Sequence, residues 1–128
     1  MGYETSDYKV FPVRAAAVLT NTYVAGTVIG EAQEYNQYAF EIQFTLGSLT
    51  SADIKLEFSE DNSTWYQETF SSISGGTDTL TLGIHRLTSS GNYVLNCGML
   101  SRYYRISVIG NGTVTSSSMA IQAVMGRD

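Results

Sequence analysis

Residues 38 to 46 carry Tyr38, Phe40, Ile42, Phe44 and Leu46 at every second position, with small or polar residues between them. Successive side chains of a strand point to opposite faces, so this period of two predicts a strand with one face buried. Residues 54 to 59 alternate in the same way, and the turn-rich Gly47-Ser-Leu-Thr-Ser-Ala-Asp53 between them predicts that the two strands neighbour each other. Glu60-Asp-Asn-Ser-Thr64 reads as a polar turn, because Asp and Asn tolerate left-handed backbone and bond back to nearby amides. An extended pattern resumes over residues 65 to 70, which makes this a hairpin.

Further strands are predicted over residues 79 to 84, 92 to 96, 103 to 109 and 119 to 125. Ser74-Gly-Gly76, Ser89-Ser-Gly-Asn92 and Gly110-Asn-Gly112 punctuate them, and Asn111-Gly112 is a hairpin signal. Residues 9 to 19 and 22 to 29 add one or two more strands. Arg14-Ala-Ala-Ala-Val-Leu19 has some helix propensity, but its apolar residues form no helical stripe. The sum is about eight strands at the spacing of a sandwich or barrel, with connections too short for parallel crossovers. The expected fold is all-β: a single-domain antiparallel β-sandwich with jelly-roll as the favoured topology. Residues 13 to 128 form the sandwich, and residues 1 to 12 are an N-terminal arm or a first edge strand.

Composition narrows the function classes more than the fold. In 128 residues, 43% are hydrophobic and 15% charged, which excludes the polar, highly charged signature of disorder. Seven Lys and Arg against 12 Asp and Glu leave a net charge of −5, which opposes binding to nucleic-acid phosphates. The basic residues look scattered, and no apolar run is long enough for a membrane helix. The polar, acidic start is unlike a signal peptide, so synthesis in a cytoplasm is expected.

Candidate chemistry is sparse. His85 has no serine elbow or second His near it in the sequence and is expected to be a solvent-facing or capping residue. Glu41, Glu57 and Glu68 fall in the polar phase of strands, where a solvated sheet face accounts for them. Glu60-Asp61-Asn62 matches half of a calcium loop without its remaining ligands, and Cys97 is read as a small buried hydrophobe. No enzyme activity, cofactor or metal is expected. Ser59-Glu-Asp61-Asn-Ser-Thr64-Trp65 resembles the Asp-box turn of sialidase-like propellers and other β-rich surface proteins, although it is one residue short and has Ser63 in place of Gly. That resemblance implies a structural turn, with Asp61 bonding turn amides and Trp65 packing beneath them, anchored at Ser59.

Aromatic residues are more informative. Tyr3, Tyr8, Phe11, Tyr23, Tyr35, Tyr38, Trp65, Tyr66, Tyr93, Tyr103 and Tyr104 exceed what one face of a small sandwich buries, and surface Tyr favours interfaces. The alternative is that they are simply good strand formers. Tyr3, Tyr8, Phe11 and Pro12 are expected to dock on a neighbouring subunit by edge-strand pairing, with Tyr103 and Tyr104 as further contact residues. The competing expectation is a first strand secured in its own sheet.

Several segments together resemble the small β-sandwich structural proteins of tailed-phage virions, in particular capsid decoration or cement proteins. They are Gly30-Glu-Ala-Gln-Glu-Tyr35 leading into residues 38 to 46, Gly47-Ser-Leu-Thr50, the hairpin at residues 59 to 65, Ser89-Ser-Gly-Asn-Tyr93, and Tyr103-Tyr-Arg-Ile-Ser-Val108 followed by Gly112-Thr113. The resemblance implies a component of the capsid exterior that binds the major capsid protein shell as a homotrimer and reinforces it. A tail or baseplate accessory module is the alternative, binding host-surface carbohydrate through Trp65, Tyr66 or Tyr104.

Overall fold

The computed structural model describes residues 7–30, 35, 37–97 and 101–127, and for residues 7, 8, 37 and 127 it describes the backbone. The strands are β1 (Asp7–Ala17), β2 (Val24–Ala25), β3 (Gln37–Thr45), β4 (Leu49–Ser59), β5 (Tyr66–Gln67), β6 (Thr69–Ser74), β7 (Thr77–Leu82), β8 (His85–Leu87), β9 (Gly91–Asn96), β10 (Tyr103–Gly112) and β11 (Ser118–Arg127). Among the described residues there is no helix, and so none long and apolar enough to cross a membrane.

One sheet has the order β1-β11-β3-β9, and the other has β2-β10-β4 with β5 and β8 both along the far edge of β4. Every pairing is antiparallel. The pairing is nested: first with last, second with penultimate, third with β9, and β4 with the split pair β5 and β8. That is a hairpin rolled up into two layers, the jelly-roll topology. The fifth position of the roll is divided because the β6 and β7 hairpin is inserted between β5 and β8.

The alternation read from the sequence sets the core. Tyr38, Phe40, Ile42 and Phe44 of β3 with Met119, Ile121, Ala123 and Met125 of β11 form one inner face, and Ala52, Ile54 and Leu56 of β4 with Tyr104, Ile106 and Val108 of β10 form the other. Tyr104 packs edge-on against Phe58 with ring centroids 5.5 Å apart. Arg14 holds the end of β1 by donating to the carbonyls of Met119, Ala17 and Val18, so the Arg14-to-Leu19 stretch starts as strand rather than helix. The segment after it is fixed to the end of β10, with Gly110 N donating to Thr20 O and the Asn21 amide to the carbonyls of Gly110 and Gly112.

Two sequence expectations are corrected. β3 and β4 do not pair: they lie in opposite sheets, and Gly47 turns the chain from one layer to the other with left-handed backbone (φ 59°). Both strands need an inner face, and a sandwich offers one in each sheet. Asn111-Gly112 is not a hairpin turn either. It lies inside β10, opposite Ser51 and Leu49, where the Asn111 amide donates to Ser51 Oγ and Asp53 Oδ2. The local turn signal is overridden by pairing with β4. The left-handed Gly75 and Gly76 instead form a two-residue turn, between β6 and β7.

Gly47 is also sterically closed, since a Cβ there would stand 2.5 Å from Ser116 O, whereas one on Gly75 would meet nothing. Gly47→Ala should therefore cost about 3 kcal/mol of stability and Gly75→Ala about 1 kcal/mol. Urea denaturation of the two variants checks this, and equal losses would show that the corner is not tight.

Candidate functional site

The outer face of the β4 sheet carries an array of charges that the sequence did not bring together. Asp53, Lys55 and Glu57 alternate along β4, with Arg86 of β8 opposite Asp53 and Arg105 of β10 opposite Glu57. Arg86 forks onto Asp53 at 2.7 and 2.9 Å, and Arg105 Nε donates to Glu57 Oε1 at 2.9 Å. Arg105 also lies 4.3 Å from the centre of the Trp65 ring and Lys55 4.4 Å from that of Tyr23. The seemingly scattered Lys55, Arg86 and Arg105 therefore converge on one face, and Glu57, expected to be solvated, is buried. The Arg86 fork, aided by Asn111, holds the Asp53 carboxyl below its ordinary range against the opposing effect of burial. Burial pushes Glu57 up, but Arg105, Lys55 and the Ser107 hydroxyl together hold it below its ordinary range.

The turn after β4 is built around two side chains. Ser59 Oγ donates to Asp61 Oδ1 and accepts from the amides of Asp61 and Asn62, while Asp61 Oδ1 accepts from the amides of Ser63 and Thr64 at 2.9 and 2.8 Å. These amides, Thr64 first, hold the Asp61 carboxyl below its ordinary range. Asn62 takes left-handed backbone (φ 59°), and Trp65 turns its ring to Arg105. No group of three potential metal ligands occurs among the described residues.

The expected contact aromatics do not form one surface. Tyr3 lies outside the described residues, and Tyr8 sits in β1 opposite Gly126, with its side chain outside them. Residues 7 to 12 pair along β11, which makes this segment the first edge strand of its own sandwich and removes the docking arm there. Phe11 packs against the core beneath Lys9, whose ammonium is 4.7 Å from the ring centre, and Pro12 is exposed on the other side of β1. Tyr103 is half-buried. Tyr104 is 1% exposed and belongs to the core, which corrects its assignment as a contact residue and pushes its hydroxyl pKa up. Tyr104 shares its phase with Ile106 and Val108, and that period of two is the signal that turns it inward.

His85 is neither solvent-facing nor a cap. It is half-buried in β8, its Nε2 lies 2.7 Å from Glu68 Oε1, and the Phe70 ring meets it edge-on at 5.5 Å. Cys97 packs partly buried against the core, and burial pushes its thiol up to about 11, so it stays protonated at neutral pH. A shallow concavity of about 360 Å³ lies on the outer face of the β1 sheet, among Pro12, Arg14, Glu41, Gln43, Asn92 and Gln122. Three of its polar side chains are already engaged, Gln122 with Glu41 and Arg14 with Met119 O.

The most exposed apolar surface is the inserted hairpin. β6 and β7 pair with each other alone, and each of their residues is exposed. The register places Leu82, Leu80 and Ile73 on one face, with Thr69, Ser71 and Asp78, and leaves Ser72, Ser74, Thr77, Thr79, Thr81 and Phe70 on the other. Ile73 is 75% exposed and Leu80 and Leu82 are each 63% exposed. The neck is fixed where Gly83 N donates to Glu68 O at 2.7 Å and Phe70 rests on His85. The alternation in Thr79-Leu-Thr-Leu82 reads as a half-buried strand, and so it hid this surface: the pattern is present, but no second layer covers it. Matched six-residue strands around Gly75-Gly76 are the signal that reveals a free-standing hairpin.

No protein-family model matches the chain, and no curated protein matches it. Solved structures share its fold. The PBSX exported protein XepA aligns over 95% of this chain with a TM-score of 0.60 and 10% identity, and the chain spans only 37% of that protein's length. A subunit of the disulfide-linked pili that form Bacillus endospore appendages aligns over 99% of this chain and 94% of its own, with a TM-score of 0.54 and 9% identity. At these identities the likeness is one of fold.

The charge pairs predict the acid response. Asp53 and Glu57 bind protons less readily folded than unfolded, so their contribution is fully present above the ordinary carboxylate range and is lost as pH falls through their lowered folded values. The thermal midpoint should hold level from pH 7 to 5 on their account and drop below about pH 4. Arg105→Met should cost about 2 kcal/mol at pH 7, because it leaves the buried Glu57 carboxylate without its main partner, and should make the acid drop shallower. Thermal melts across pH on both proteins check this, and an unchanged acid profile would show that the pair is not coupled to folding.

Proposed function

We propose that this chain is a non-enzymatic structural subunit of a phage-derived particle, a decoration protein that sits on the major capsid protein shell and stabilises it. The observation that carries the reading is the β6 and β7 hairpin, which holds Ile73, Leu80 and Leu82 in water on an otherwise acidic, Ser- and Thr-rich sandwich. An exposed apolar face on a well-ordered element marks an association surface. The fold likeness to a phage-derived exported protein supports the same reading, as does the sequence resemblance to virion sandwich proteins. So does the state of the polar side chains, which are spent on one another: Asp53 on Arg86, Glu57 on Arg105, Asp61 on its own turn and His85 on Glu68.

In this role the chain works on the capsid exterior as a homo-oligomer, which multiplies a modest contact with the shell into firm binding through effective concentration. It binds no nucleic acid and takes no cofactor. The carbohydrate-binding alternative is not favoured, since Tyr104 is buried and Trp65 carries Arg105 on its ring.

Co-sedimentation tests the proposal. The purified chain should pellet with empty capsids assembled from the major capsid protein of the same genome and raise their disruption temperature. Ile73→Ser with Leu80→Ser should weaken capsid binding at least tenfold, or about 1.4 kcal/mol, because it removes the apolar face. A chain that stays in the supernatant at every concentration overturns the proposal.

A further inference from the structure

We infer that the free edge of β9 takes the β9 strand of a second copy of this chain, antiparallel about a two-fold axis through Val94, so that the two β1 sheets join into one. This deepens the proposed function by giving the homo-oligomer its contact, and it rests on that reading of the chain as a homo-oligomer. β9 ends its sheet, with β3 on one side and no strand on the other. Cys97 N donates to Tyr38 O, and along an antiparallel ladder residues whose groups point to the neighbour alternate with residues whose groups point away. Tyr93 and Leu95 therefore bond to β3 as Cys97 does. The N–H and C=O groups of Asn92, Val94 and Asn96 face outward, with no partner among the described residues. An extended backbone is the ligand that matches such a row of alternating donors and acceptors.

The edges of the two layers differ in how they are guarded. β1, at the other end of the same sheet, carries Lys9, Pro12 and Arg14, its register shifts on both sides of Arg14, and Val13 O is already taken by Thr27 N. In the second sheet β2 has two residues, and the far edge of β4 is broken between β5 and β8. Charges, proline, irregular register and short strands are what keep a sheet edge from pairing with another chain. β9 lacks these guards: Gly91-Asn-Tyr-Val-Leu-Asn96 contains no charged residue and no proline, and it pairs with β3 without a register shift. Joining two copies there uses up both open edges. The guarded β1 strands then stand at the two ends of the joined sheet and stop it from growing, so the assembly closes as a dimer.

The register selects the occupant. With Val94 on the axis, every outward N–H of one copy meets an outward C=O of the other, since Val94 pairs with the partner's Val94 and Asn92 with the partner's Asn96. Centring the axis on Asn92 or Asn96 takes part of the strand out of the pairing. On the inner face Tyr93 falls opposite the partner's Leu95; both are half-buried on the margin of the core, so each covers the side that the other leaves open. On the outer face Val94, 60% exposed, meets its own copy between two pairs of Asn side chains. No charge is set against a like charge at this junction, although each chain carries −5. A foreign strand has to bring the same uncharged alternation with its own edge free, whereas a second copy brings it by symmetry. The inserted hairpin leaves room for this pairing. Glu68, at its neck, acts on the Cys97 thiol, which places the neck by the C-terminal end of β9, and antiparallel pairing sends the two necks to opposite ends of the junction.

Sedimentation equilibrium of the full chain under reducing conditions should show monomer and dimer in exchange. Amide hydrogen exchange should slow at Asn92, Val94 and Asn96 as the dimer forms, while Tyr93 and Leu95 are protected at every concentration. Val94→Pro should weaken the dimer about tenfold or more and leave circular dichroism and the thermal midpoint unchanged, because the N–H it removes makes no bond within the chain and an edge strand tolerates proline. Val94→Lys and Val94→Glu should each be monomeric alone, and an equimolar mixture of the two should restore a dimer, because position 94 faces itself across the axis. A chain monomeric at all concentrations, a trimer, a dimer whose Val94 amide still exchanges freely, or a mixture of the Lys and Glu variants that stays monomeric would each overturn the inference. So would protection of the Val94 amide that appears only when capsids are added, which would give this edge to the shell. A monomeric chain that still pellets with capsids overturns this inference and leaves the proposed function standing, and a dimer that does not pellet does the reverse.

Discussion

The molecule depends on one contact, the burial of the inner face of β3 and β11 against the inner face of β4 and β10. Neither sheet is stable alone with Phe40, Ile42 and Ile121 on one side, or with Ile54, Leu56 and Ile106 on the other, exposed to water. Because both layers are needed, the chain passes repeatedly from one to the other. The corner at Gly47, the Arg14 clasp on the end of β1 and the Asn21 bonds to β10 all serve those passages. The Arg14 and Asn21 bonds connect segments far apart in sequence, so the roll closes as a whole or not at all.

The outer face of the β4 sheet solves a different problem. A sheet in a two-layer fold has one side open to solvent, yet here Asp53, Glu57 and Ser107 are buried on that side. The cover comes from long side chains laid flat: Arg86 on Asp53, Arg105 between Glu57 and the Trp65 ring, and Lys55 on Tyr23. Their aliphatic stems shield the sheet while their charges meet partners or ring faces. This side is therefore finished, with acids and bases neutralising one another, and offers little to a binding partner. The exposed apolar surface lies instead on the hairpin that leaves the edge of the same sheet.

The alternation in residues 38 to 46, 54 to 59, 103 to 109 and 119 to 125 made the fold class and the central strands legible, because the period of two is a property of the strand itself. Pairing was less legible. β3 and β4 are joined by a short turn-rich link that local chemistry reads as a hairpin, and only the need to fill both layers sends them apart. Asn111-Gly112 misleads for the same reason: its turn preference is weaker than the ladder to Ser51 and Leu49. The Asp61 turn could be read directly, since its bonds span two or three residues. The charge array could not, because Arg86 and Arg105 reach partners 33 and 48 residues away. The hairpin surface was half legible, its strands visible in the Thr and Leu alternation but its exposure dependent on a layer that is absent there.

The neck of that hairpin has a consequence for how such a protein can diversify. Glu68 and Gly83 are already joined by a backbone hydrogen bond, with the Gln67 amide reaching the Gly83 carbonyl, so the roll is closed below the insertion. What lies beyond the neck is topologically a cassette. Its length and sequence are free to drift, or to be exchanged for another loop, without altering any strand pairing in the two layers. One stretch of the chain is thereby held under the constraint of a shared interior and another under almost none.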